Sequence, residues 1–182
     1  MTKLETPELR WGNRDYPYHQ TGEVQASEYF NRLHPVNRSY LMFLLQHLLS
    51  VARAMRTPLS TLAVGSSADI LWPEYNDIDL VVCPDKPTVR TDFVEAVFQQ
   101  IVHNPNFYVM RESPKGSAPV LTTHQALYTP FKLFAFPNLR GEMVKYAKQF
   151  DMTFVGTEGG STKEVIEFHR SNHLAFCKLE IV

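Results

Sequence analysis

The stretch VGSSADILWPEYNDIDLVV, residues 64–82, places two aspartates, Asp77 and Asp79, at the head of an apolar run that otherwise reads as a buried strand. DIDLVVC, residues 77–83, has the β-branched content of a strand and lies between Pro73 and Pro84. Side chains two apart on a strand share a face, so Asp77 and Asp79 present their carboxylates side by side while Ile78 points the other way. Two anions held that close repel each other and are costly to desolvate, and a bound cation relieves both costs. The pair asks for a metal.

Upstream, LSTLAVG (59–65) is a short strand that delivers the chain to the turn Gly65-Ser66-Ser67. Gly65 has no Cβ and so permits close approach of a phosphate, Ser66 adds a hydroxyl donor, and a short helix starting at Ser67 would turn free N–H groups toward the same anion. Downstream, YAKQFDMTFVG (146–156) returns to strand-forming residues and sets a third acid, Asp151, in apolar surroundings. Mg2+ prefers oxygen ligands and keeps waters or substrate phosphates in its shell. Three carboxylates on neighbouring strands can hold two such ions about 4 Å apart across a transferring phosphoryl or nucleotidyl group. The turn supplies donors and the acids supply metals, which together complement a nucleoside triphosphate.

The rest of the chain fits an α/β (α+β) domain, a mixed β-sheet with helices packed on it. After Pro35, VNRSYLMFLLQHLLSVARAM has helical spacing in Tyr40, Phe43, Leu44, His47, Leu48 and Val51. A second helix runs from Thr88 to about His103, and FYVMRE (107–112) is a strand followed by a loop, SPKGSAP. ALYTPFKLFAF (126–136) is rich enough in strand formers to hold one sheet edge; GTEGGS is a glycine turn, and TKEVIEFHRSNHLAFC reads as a helix ending near His173. Residues 1–32 are polar and show no period, which makes them an N-terminal arm or cap.

Composition narrows the partners. At 182 residues with 44% apolar content the chain can build one real core. Its formal charge of -1 gives no global pull on a polyanion, so phosphate binding must be local. Two cysteines set no disulfide framework, and neither a signal peptide nor a membrane-spanning stretch is read, which favours a soluble, cytoplasmic protein with no membrane partner.

The spacing of Gly65-Ser66, ten residues, Asp77-Ile78-Asp79-Leu80 and a later Asp151 resembles the DNA polymerase beta-type nucleotidyltransferase superfamily. It is most similar to the catalytic domain of the noncanonical poly(A) polymerase and terminal uridylyltransferase group, through Ala68, Leu71-Trp72, Pro73 and the strand QFDMTF. The resemblance implies a nucleotidyltransferase fold over residues 33–182, with Gly65, Ser66 and Ser67 at the triphosphate and Asp77, Asp79 and Asp151 as catalytic ligands of Mg2+ or Mn2+. It implies transfer of a nucleoside monophosphate from an NTP to a hydroxyl on an RNA 3′ end, a small molecule or a protein. It also implies a further helical domain with a triphosphate-binding lysine, for which the residues after Asp151 leave no room; the chain then reads as a minimal transferase, as a subunit whose protein partner supplies that domain, or as a module whose second half is lost. A catalytically weak or inactive module that binds nucleotide, RNA or protein as a subunit is the alternative.

Other residues admit quieter readings. Asp69 and Glu74 read as solvated loop acids, and Trp72 as a packing anchor more than a base-stacking platform. Lys115, Lys132, Arg140, Lys145 and Lys148 are candidate phosphate contacts. His169 and His173 share a helix face, but two ligands do not complete a zinc site, and they read as ordinary histidines.

Overall fold

Pairing of the strand that carries Asp77 and Asp79 sets the architecture. The computed structural model describes residues 22–72, 74–112, 132–155, 160–171 and 174–180. Lys115, Gly116, Pro130, His173 and the start of the GTEGGS turn lie outside these residues, as do residues 1–21 of the arm. In chain order the elements are β1 (Gly22–Glu23), α1 (Ala26–Arg32), α2 (Pro35–Ala54), β2 (Leu59–Val64), α3 (Gly65–Ala68) and β3 (Asp77–Pro84). There follow α4 (Arg90–Val102), β4 (Phe107–Glu112), β5 (Lys132–Pro137), β6 (Gln149–Phe154), α5 (Thr162–Ser171) and β7 (Ala175–Lys178).

Among the described residues the strands form one mixed sheet in the order β1-β7-β2-β3-β6-β5-β4. β3 and β6 run parallel at its centre; β2 and β5 flank them antiparallel. The alternation along β3 divides the two faces. Ile78, Leu80 and Val82 join Phe150, Met152 and Phe154 of β6 in the main core, under Leu41, Leu44, Leu48 of α2 and Phe93, Val97, Ile101 of α4. Each such fully buried side chain contributes about 1.5–3 kcal/mol relative to exposure. On the opposite face Val81 and Cys83 pack with Val165 and Phe176 beneath α5, while Asp77 and Asp79 lie toward the start of the same row. The run is therefore apolar beneath α5 and acidic beyond it.

Several sequence expectations change. Residues 22–32 of the arm carry regular elements: β1 pairs with β7, and α1 buries Tyr29 on the core. A helical period has too few turns in α1 to show. In α2 the buried stripe centres on Leu41, Leu44, Leu45 and Leu48, leaving Phe43 43% exposed. β5 is not the edge strand; it lies between β6 and β4, and among the described residues β4 is the edge. α5 ends at Ser171, and Ala175–Lys178 is a strand, because β2 needs a partner on its outer side for Leu62, Ala63 and Val64. Arg90, buried at the start of α4, donates to the carbonyls of Pro84 and Gly160 at 2.9 and 3.1 Å and ties α4 to the end of β3.

Candidate active site

The last residue of β2, Val64, pairs with Asp79, and the next residue leaves the sheet. Gly65 does so with φ +69°, a left-handed conformation that other residues adopt only with strain. A Cβ at this position would overlap Asp79 Oδ2 and sit 3.3 Å from its Cγ. The turn thus requires the glycine, and a side chain there would displace the Asp79 carboxylate.

Asp79 is also in register with Asp151 across the parallel β3–β6 pair. Residues level with each other on adjacent strands point to one face, so the two acids of β3 meet the acid of β6. Carboxylate oxygens of Asp77, Asp79 and Asp151, all half-buried, lie within 4.8 Å of one another. The Gln149 amide donates to Asp151 Oδ1 and fixes that carboxylate from within its own strand. Burial first, then the charges of Asp77 and Asp151, push the Asp79 carboxyl up to about 8, with Lys132 pulling the other way. Burial accounts for the largest part of that rise, and the two neighbouring acids add to it. The donor set is entirely carboxylate oxygen, which suits a hard divalent ion such as Mg2+ or Mn2+. Among the described residues this is the one cluster of three or more such side chains with metal-binding spacing.

The turn differs in detail from its sequence reading. α3 begins at Gly65, two residues before Ser67, and amounts to a single turn closed by Asp69 N–H to the Gly65 carbonyl at 3.3 Å. Ser66 is half-buried, and its carbonyl accepts from Arg32 Nη2 at 3.4 Å. Ser67 is buried; its hydroxyl donates to the Val64 carbonyl at 3.3 Å and lies 3.5 Å from Tyr29 Oη. It braces the turn from inside. Asp69 is fully buried rather than solvated, because its Oδ1 accepts the Leu71 N–H at 3.2 Å and so turns the chain. Glu74 is exposed, as expected.

Of the candidate cations, Lys132 lies on the acidic face, opposite Thr153 and diagonal to Asp151. Lys145 is exposed with Nζ 5.0 Å from the Tyr146 ring centroid, Lys148 is half-buried with Nζ 6.0 Å from the Tyr75 ring centroid, and Arg140 is exposed. Arg32, Asn37 and Tyr75 were not singled out by the sequence, since nothing local distinguishes a site arginine or asparagine from any other. His169 is buried, with Nδ1 2.8 Å from the Val165 carbonyl, and belongs to the core.

No family model and no curated protein matches the chain. Among solved structures, the Cid1 poly(U) polymerase with MgGTP bound aligns with 71% of this chain and 33% of its own, at 14% identity and a TM-score of 0.42. A cytoplasmic RNA terminal U-transferase aligns with 79% of this chain and 36% of its own, at 16% identity and a TM-score of 0.39. The Thermotoga maritima CCA-adding enzyme complexed with tRNA aligns with 71% of this chain and 23% of its own, at 15% identity and a TM-score of 0.36. The chain spans about a third of the length of the first structures it matches.

Proposed function

From a nucleotidyltransferase fold whose central parallel strands bring three carboxylates to one point, we propose that this chain moves a nucleoside monophosphate from an NTP to a hydroxyl acceptor. The observation that carries the reading is the convergence of Asp77, Asp79 and Asp151 within 4.8 Å. In this reading residues 33–182 are the catalytic domain and residues 1–32 its arm or cap.

Asp77, Asp79 and Asp151 would hold Mg2+ or Mn2+, which when bound neutralises phosphate charge and acidifies an acceptor hydroxyl. The chain's own residues do the rest. Gly65 and Ser66 hold a phosphate, Gly65 through the turn whose missing Cβ leaves room for the Asp79 carboxylate and Ser66 through its hydroxyl, and Ser67 holds the turn in place. Asp151, oriented by Gln149, takes the acceptor's proton. The acceptor oxygen forms a bond to the α-phosphorus, the α–β phosphoanhydride bond breaks, and pyrophosphate leaves. The acceptor is an RNA 3′ end, a protein or a small molecule. Both cysteines are free and buried, in keeping with a reducing, cytoplasmic setting, and among the described residues no helix is long and apolar enough to cross a membrane.

The test is incubation with each α-labelled NTP in Mg2+ and in Mn2+, offering RNA, protein and cell extract as acceptors, beside Asp77→Ala. Label on an acceptor that vanishes in the variant is the expected result. No transfer by the wild type under any of these conditions sinks the reading of this chain as a self-sufficient enzyme.

A second reading rests on an exposed apolar shelf. Tyr108 and Met110 of β4 are 64% and 61% exposed. They pair with Phe136 and Phe134, and Phe134 pairs with Asp151, so the shelf continues the acidic face. Such a surface beside the site supports a nucleotide-, RNA- or protein-binding subunit of little activity, completed by a partner that supplies a helical domain. Light scattering on the purified chain, alone and with a captured partner, separates the two readings.

A further inference from the structure

Two cations share one tyrosine ring at the carboxylate end of the sheet. The Arg32 guanidinium carbon lies 5.2 Å from the Tyr75 ring centroid and Lys148 Nζ lies 6.0 Å from it. Tyr75 leads into Asp77, Lys148 leads into Gln149, and Gln149 is in register with Asp77. Arg32 also reaches the Ser66 carbonyl of the glycine-serine turn at 3.4 Å. The pair therefore touches the three segments that build the site: the turn, the start of β3 and the start of β6.

The scaffold under the pair is rigid. The buried Asn37 accepts the Lys148 backbone N–H at 2.9 Å, donates to the Tyr146 carbonyl at 2.9 Å, and lies 3.5 Å from Tyr75 Oη. Lys148 takes part in none of the ion pairs among the described residues. A ring face holds an ammonium more weakly than a phosphate oxygen does, so the side chain can be drawn onto an incoming anion. Three acids repel an anion. Divalent ions cover part of that charge, and fixed cations beside the acids cover more.

Resting on the transfer proposed above, we infer that Arg32 and Lys148 form a phosphate clamp at the rim of the site. Arg32, with its planar fork, takes phosphate oxygens on the side of the turn, and Lys148 takes them on the side of β6. The phosphate is the triphosphate tail of the nucleotide or a phosphodiester of an oligonucleotide acceptor; the chemistry recognised is the same.

The experiment titrates three probes into the full chain: inorganic tripolyphosphate without metal, an NTP with Mg2+, and a short oligoribonucleotide. Proteins are wild type, Arg32→Gln, Arg32→Lys, Lys148→Gln and Asp77→Asn, each checked for an unchanged melting profile. We expect each Gln variant to weaken tripolyphosphate about tenfold or more, Arg32→Lys to weaken it less, and Asp77→Asn, which removes one of the repelling acids, to tighten it. Loss confined to the nucleotide and tripolyphosphate assigns the triphosphate, and loss confined to the oligoribonucleotide, with a salt slope lower by about 1 per cation removed, assigns the acceptor. Equal affinity of wild type and both Gln variants for all probes, or no wild-type binding of any probe, overturns the clamp. Failure of the metal reading shows separately, as wild type that binds no Mg2+ or Mn2+ in a nucleotide-free titration.

Discussion

Gly65 and Asp79 are in direct opposition: a Cβ on Gly65 would stand 3.3 Å from Asp79 Cγ and overlap Oδ2. Gly65→Ala therefore combines a left-handed backbone with a clash against one carboxylate of the three-acid cluster. It is expected to cost about 1–3 kcal/mol of stability and to weaken Mn2+ binding about 10–100-fold. Urea unfolding and a metal titration check both, and an alanine variant equal to wild type in each would show that the turn does not set the acid's position.

The burial of Asp79 beside Asp77 and Asp151 makes metal-free stability depend on pH. Its carboxyl titrates near 3.8 when unfolded and is raised to about 8 when folded, so the folded state binds the extra proton between those values. Metal-free stability thus falls as pH rises from about 4 to 8 on this group's account, and is flat beyond. Asp79→Asn should remove that slope, raising the midpoint by about 2–4 °C for each kcal/mol regained, and millimolar Mg2+ should flatten it in the wild type. Thermal melts across this range, with chelator or with Mg2+, give the answer; an identical slope in Asp79→Asn would refute the assignment.

Asn37 fixes the approach to β6 through Lys148 N–H and the Tyr146 carbonyl, both at 2.9 Å. Asn37→Ala leaves two polar backbone groups short of partners in a partly buried setting and is expected to cost about 1–2 kcal/mol. Asn37→Asp, which still accepts but cannot donate, should recover part of the loss. Chemical denaturation of the two variants distinguishes this from a simple packing defect, for which the isosteric aspartate would behave as wild type.

His169 is held neutral. Burial lowers its pKa, its Nδ1 is committed to the Val165 carbonyl, and among the described residues its buried Nε2 has no acceptor for a second proton. The unfolded chain therefore takes up protons that the folded chain refuses, and stability should fall as pH drops below about 6.5. In His169→Phe that acid limb should be shallower in unfolding curves between pH 7 and 5. An unchanged limb would place the sensitivity elsewhere.

The strands and helices nearest the site were legible because their signals are local. DIDLVVC shows its period and β-branched content within one element, and the acids fall on one face by the geometry of any strand. Asp69 misled because a buried acid that serves a turn has the same neighbours in sequence as a solvated one. β7 was missed because Ala175–Lys178 is four residues long and earns its pairing only from β1 and β2.

The sequence by itself determined the donor types, the side-by-side placement of Asp77 and Asp79, and the glycine that a tight turn needs, since each follows from covalent geometry over a few residues. Only the tertiary structure decided that Val64 pairs with Asp79 and Asp79 with Asp151. Those registers place Gly65 against one carboxylate and a third acid beside it. They also set Arg32 and Lys148 around Tyr75. Register between distant strands is chosen by how all the buried faces fit at once, and no short window of sequence contains that fit.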